Sequence, residues 1–199
     1  MIKTTAMMME GLREYSNPKA KLSRMVRRGE CFPIVKGLYE TERNVSPHLL
    51  AGSIYGPSYI SFEFALMYYG LIPETSYSVT CATYKKKKKK IFVTPFGIFT
   101  YQDVPPGVFS WEIAIRKEGE YSYWIATAEK ALCDRLYTMS PLSNLKELMA
   151  ALSEDLRIEE SCLLQLNQKT VSELSEKYHC TNVKKLSSLL GRMQRCTAR

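Results

Sequence analysis

At 199 residues the chain is long enough for one sizeable core or two small domains, and 45% hydrophobic with 24% charged residues is the make-up of an ordinary folded protein. The apolar runs are too short for a membrane span and the N-terminus lacks a signal-peptide core, while six scattered cysteines without a C-x-x-C argue against a zinc site or a disulfide scaffold. A net charge of +8 favours an anionic partner, and a reduced, cytoplasmic protein is the expectation.

Residues 2–15 are predicted helical, with Met7 to Met9 on the buried side, and Ser16-Asn17-Pro18 connect to a second helix. Asn17 is placed to cap that helix and Pro18 fits its first position. Leu22, Met25 and Val26 then form an apolar stripe, while Lys21, Arg24 and Arg28 cluster opposite with Arg27 beside them. Gly29 supplies the stop. Cys31 to Val35 and Leu38-Tyr39 read as strands joined by a tight turn at Lys36-Gly37. A basic amphipathic helix followed by a short hairpin is the outline of a recognition helix and wing, with Lys36 at the tip reaching a phosphate. An ordinary surface helix with a solvated basic face has the same pattern.

Residues 42–57, rich in Gly, Pro, Ser and Asn, read as a linker with a helical turn near His48 to Ile54, and His48 itself as exposed. Ser58 to Glu74 reads as a helix, capped by Ser58 or Ser61, burying Phe62, Ala65, Leu66 and Tyr69, and ended by Gly70 and Pro73. Tyr68 and Tyr69 suit core packing better than base stacking. Residues 77–117 are β in character, with strands at 77–84, 91–93, 98–101 and 111–115, and Tyr121 to Ala126 adds another. Lys85, Lys86, Lys87, Lys88, Lys89 and Lys90 interrupt this region. Six like charges stay in water, on a hairpin tip or at the ends of edge strands, where they are a phosphate-contact candidate or a solubilising loop. Thr127 caps a helix whose Ala131, Leu132, Leu136 and Tyr137 face the core. The remainder is helical, starting at Ser143-Asn144, at a Thr170-x-x-Glu173 capping box and at Thr181-Asn182.

Signs of catalysis are missing. Two histidines, His48 and His179, have no nucleophile motif to serve, no glycine-rich phosphate loop occurs, and no carboxylate has lysine two residues on. Glu129 and Asp134, at i and i+5, diverge on a helix, and caps and surface charge explain them and Ser61 more cheaply. No enzyme activity, cofactor or metal is expected.

Five segments in order, KLSRMVRRGECFPIVKGLYET at 21–41, YISFEFALMYYGLIPE at 59–74, SVTCAT at 78–83, FVTPFGIFTYQDVP at 92–105 and IATAEKALCDRLY at 125–137, together resemble the AbiEi family of bacterial type IV toxin–antitoxin systems. The resemblance spans about two-thirds of the chain, with Ala128 where the family's helix signature usually has proline. It implies an α+β protein: a small N-terminal winged-helix unit (1–41), a linker (42–57), and a mixed α/β antitoxin domain with a helical C-terminal part (58–199). It further implies an antitoxin and transcriptional autorepressor of an abortive-infection operon that binds inverted repeats in its own promoter DNA. The functional partner implied is a nucleotidyltransferase-like toxin, opposed without a stable complex. Lys21, Arg24, Arg27 and Arg28 become the recognition-helix cations and Lys36 the wing tip. The alternative is a nucleic-acid- or protein-binding module that counters the toxin without specific DNA binding.

Overall fold

The computed structural model describes residues 1–73 and 77–197 and shows an α+β protein built on two sheets. The first belongs to an N-terminal unit of strand β1 (Ile2–Thr4), helices α1 (Thr5–Gly11) and α2 (Pro18–Arg27), and a hairpin of β2 (Phe32–Val35) and β3 (Leu38–Glu40). Residues 2–4, expected to be helical, are a strand because β3 offers them an open edge. Ile2, Lys3 and Thr4 pair antiparallel with Glu40, Tyr39 and Leu38, giving the order β1-β3-β2. Thr4 then caps α1, its hydroxyl accepting the Met7 N–H at 3.3 Å. Of the three methionines only Met8 is buried; it joins Leu12, Leu22 and Cys31 in a small core of the unit.

Within the expected linker the helical turn near His48 to Ile54 is present, but it belongs to the main core. Pro47–Leu50 is a 3-10 turn and Ala51–Ile54 the short helix α3, and Leu49, Leu50, Ala51 and Ile54 are buried in the main core. Four apolar side chains within six residues gain more from burial than from solvation. Tyr101 ties the segment down by donating to the Ala51 carbonyl at 2.8 Å. His48, expected in solvent, is half-buried: its ring packs edge-on to Tyr123 at 5.0 Å and its Nε2 lies 3.2 Å from Glu118. The N-terminal unit rests directly on the larger one. Ile34 enters the main core, Phe32 meets Phe96 edge-on at 6.4 Å, and the Tyr121 hydroxyl lies near the Glu40 carboxylate.

The larger unit carries a six-stranded mixed sheet: β4 (Ser58–Ile60), β5 (Ser78–Thr83), β6 (Lys90–Thr94), β7 (Gly97–Asp103), β8 (Ile113–Glu118) and β9 (Tyr121–Ala126), in the order β6-β7-β5-β4-β9-β8. β4 corrects the expected helix at 58–74, whose end at Glu74 lies outside the described residues. Three residues there are extended because they sit in mid-sheet, antiparallel to β5 and parallel to β9. Helix α4 is only Phe62–Tyr68. It ends as expected at Gly70, whose φ of +71° favours glycine, with the Leu71 N–H reaching back to the Leu66 carbonyl. Phe62, Ala65 and Leu66 are buried, whereas Tyr68 stays exposed and stacks edge-on to half-buried Tyr69 at 5.1 Å.

Helices complete the domain: α5 (Ala128–Tyr137), α6 (Leu145–Ala150) running into a π-helical turn at 151–155, α7 (Glu160–Gln165), α8 (Gln168–Tyr178) and α9 (Thr181–Thr197). Thr127 and Asn144 cap α5 and α6 through the N–H groups of Lys130 and Glu147. α8 starts earlier than the capping box suggests. Asn167 takes the N–H groups of Lys169 and Thr170, which leaves Thr170 inside the helix. Tyr137, expected in the core, is exposed, while six other α5 residues are buried, Lys130 and Asp134 among them. No helix among the described residues is long and apolar enough to cross a membrane.

Candidate nucleic-acid interface

α2 forms where local chemistry points to it. Asn17 Oδ1 accepts the Ala20 N–H at 3.0 Å, Pro18 opens the helix, and Gly29, at φ +68°, leads the chain out. Leu22 is buried, and Met25 and Val26 pack against the same small core. At about 100° per residue, Lys21, Arg24, Arg27 and Arg28 fall within an arc of roughly 120° centred opposite that core. Arg24, Arg27 and Arg28 are exposed, and Arg24 and Arg27 form no ion pair among the described residues. Arg28 lies 3.8 Å from Glu30, a contact too long and too solvated to neutralise it. Lys21 is half-buried at the edge of the arc, its ammonium 5.2 Å above the Tyr15 ring. The arginines gather in the last turn, where the negative end of the helix dipole favours cations.

Lys36 is exposed at the hairpin tip, and Gly37 takes a φ of +87° that the turn requires. The tip does not project freely. The Gly37 carbonyl accepts the Thr5 N–H at 2.9 Å, so the turn is folded against the start of α1. Between helix and hairpin, Leu22, Ser23, Val26, Arg27, Pro33 and Tyr39 line a shallow groove.

The lysine run is a different surface. Lys90 begins β6, and the turn beyond that strand's far end sets Phe96 against Phe32 of the N-terminal unit. The run therefore lies a strand length away from that contact, about 14 Å. It is not a hairpin tip either: β6 pairs with β7 rather than β5, so residues 84–89 cross the end of β7. Asp103 at that end organises the crossing. Its carboxylate accepts the Thr83 hydroxyl and the Lys87 N–H, both at 2.6 Å, with the Lys86 N–H beside them. Partial burial opposes its ionisation, but these donors prevail and hold the Asp103 carboxyl below its usual range. Lys85 and Lys87 adopt left-handed conformations at φ +51° and +66°, which aim successive backbone N–H groups at the carboxylate.

Sequence reasoning missed the most polar part of the interior. Lys130 and Asp134, one helical turn apart on α5, are both fully buried and paired at 2.7 Å. Asp134 also accepts hydroxyls from Ser61 at 2.6 Å, Tyr59 at 3.0 Å and Tyr178 at 2.5 Å. The ammonium lies 2.5 Å from the Tyr178 oxygen and over the faces of Tyr178 and Tyr59, at 4.8 and 5.3 Å. Burial, and then the Asp134 charge, push both tyrosine hydroxyls far above their ordinary range, which keeps them donors. The signal was the i, i+4 spacing of Lys130 and Asp134 among Ala131, Leu132 and Leu136. With both charges shut off from solvent, the cluster fastens β4, α5 and α8 together and offers no reactive surface. Ser61, expected as a cap, spends its hydroxyl here.

Among the described residues no group of three or more His, Cys, Asp or Glu side chains converges to hold a metal ion. All six cysteines are free. Compared with known proteins, the chain matches no family model and no curated sequence.

Proposed function

We infer that the chain is a DNA-binding antitoxin and autorepressor of a type IV toxin–antitoxin operon, acting in the cytoplasm and without enzymatic activity of its own. The observation that carries this reading is the exposed arc of Arg24, Arg27 and Arg28 on a capped helix, backed by its own small core and followed at once by a hairpin. Strand, helix, helix and hairpin in that order support a trimmed winged helix, with one helix ahead of α2 where a full unit has two and β1 as the third strand. Two of the segments that carry the AbiEi resemblance, 59–74 and 125–137, meet in the Ser61–Asp134 bond. The operator is read as inverted repeats in the chain's own promoter, and the toxin as a nucleotidyltransferase-like protein opposed without a stable complex.

Gel shifts on the upstream DNA and on scrambled DNA, over a salt series, test the reading. Binding is expected to favour the upstream DNA and to weaken steeply with salt, because phosphate contacts release counterions. Arg24→Glu/Arg28→Glu removes two such contacts, so the log–log salt slope should fall by about 2 and affinity by orders of magnitude. An unchanged slope in a folded double variant refutes the role given to α2.

A further inference from the structure

β6 closes one side of the larger sheet, and among the described residues no strand is hydrogen-bonded to the edge of its backbone away from β7, although β2 packs near it. Ile91 and Val93, on one face of this strand, are 61% and 79% exposed. Ile98, opposite Val93 on β7, extends the same apolar face. Exposed β-branched side chains on an open edge are an uncommon combination, since edges are usually shielded. The lysines do not shield this one; they sit at its end. Lys87 to Lys90 are exposed, and their side chains have no carboxylate partner among the described residues. The Asp103 clasp fixes the backbone that carries them.

A single-stranded nucleic acid needs free rings on which to stack its bases. The rings beside the lysine run are already covered. Tyr84 lies between the Lys85 ammonium at 5.1 Å and Phe109 at 5.2 Å. Tyr55 lies under Lys86 at 4.8 Å and against Tyr101 and Phe92 at 5.4 and 5.7 Å. What stays open is a strand edge with apolar side chains at alternate positions and a block of cations at one end.

We propose that β6 is a docking edge for an extended segment of an acidic protein partner. That segment adds as a seventh strand, packs alternating apolar side chains on Ile91 and Val93, and sets carboxylates against Lys87 to Lys90. Backbone pairing and apolar contact supply affinity; the lysines select charge. This goes beyond the DNA reading and is independent of it, since no residue of α2 takes part.

The test is fluorescence anisotropy of the full chain with a labelled peptide that alternates valine and threonine and carries glutamates at both ends. Saturable, salt-sensitive binding is expected, with slowed amide exchange at residues 91–93. Ile91→Lys/Val93→Lys should weaken it at least about tenfold. Lys87→Ser/Lys88→Ser/Lys89→Ser should weaken it similarly and flatten the salt dependence. All five side chains are exposed, so both variants should keep the parent circular dichroism. The proposal is overturned by no binding, or by equal binding of polyglutamate, which would reduce the run to plain charge. Tighter binding of oligothymidylate, insensitive to Ile91→Lys/Val93→Lys, overturns it in favour of nucleic acid. Self-association in sedimentation that excludes the peptide overturns it in favour of a second copy.

Discussion

Removing either member of the buried Lys130–Asp134 pair should not cost the same. Asp134→Ala deprives a fully buried ammonium of its one anionic partner, leaving the Tyr178 oxygen and two ring faces. Breaking a buried pair in this way costs about 3–5 kcal/mol, a large part of the roughly 5–15 kcal/mol that holds a domain folded. Lys130→Met leaves the carboxylate with three hydroxyl donors, from Tyr59, Ser61 and Tyr178. Hydrogen bonds to a charged group are each good for about 1.5–3 kcal/mol, and the Met side chain refills much of the lost volume. Its cost should be about half that of Asp134→Ala. Urea unfolding near neutral pH reads the difference. With a slope of about 2 kcal/mol per molar, Asp134→Ala lowers the midpoint by about 2 M and Lys130→Met by about 1 M. Equal losses, or the larger loss in Lys130→Met, would refute the account in which the hydroxyls carry the carboxylate.

The Asp103 carboxyl is held below its unfolded value, so the stability it contributes is present above the ordinary aspartate range. That stability disappears as pH falls through the lowered folded value. Urea midpoints at neutral and acid pH should accordingly converge between the parent chain and Asp103→Asn, the variant being weaker only at neutral pH. Gly70→Ala places a Cβ with no atom within 4 Å but at a φ of +71°, so its cost is conformational alone, about 1 kcal/mol, seen as a melting shift of roughly 2–4 °C. Gly70→Asn, better tolerated in that conformation, should lose less.

Local signals were legible and non-local ones were not. Asn17-Pro18, Gly29, Lys36-Gly37, Gly70, Thr127 and Asn144 each act through neighbours a few residues away, and the structure uses each where the sequence placed it. β1 and β4 are three residues each, too short for a two-residue period to register. Both owe their form to partners far along the chain. For β4 the following apolar helix concealed the switch, since Ser58 to Ile60 continue its pattern without a break. Residues 47–54 looked like a linker because their Pro, Ser and Gly outweigh four apolar side chains that count only once a sheet lies under them. The arginines of α2 were readable because exposure requires nothing of the rest of the chain. Lys130 and Asp134 were not, because a buried charge makes sense only when Ser61, Tyr59 and Tyr178 are seen around it.

The five side chains of that cluster come from three stretches of sequence, and the consequence reaches into how such a chain diverges over time. Replacing Asp134 alone passes through a form with a stranded ammonium and orphaned hydroxyls in the interior, and replacing Lys130 alone leaves a buried carboxylate without its cation. Drift at 130 and 134 is hindered one step at a time and eased by concerted exchange, such as an apolar pair at 130 and 134 with phenylalanines at 59 and 178 and alanine at 61. Descendants of this chain should therefore keep or lose Lys130 and Asp134 together, with either one alone rare.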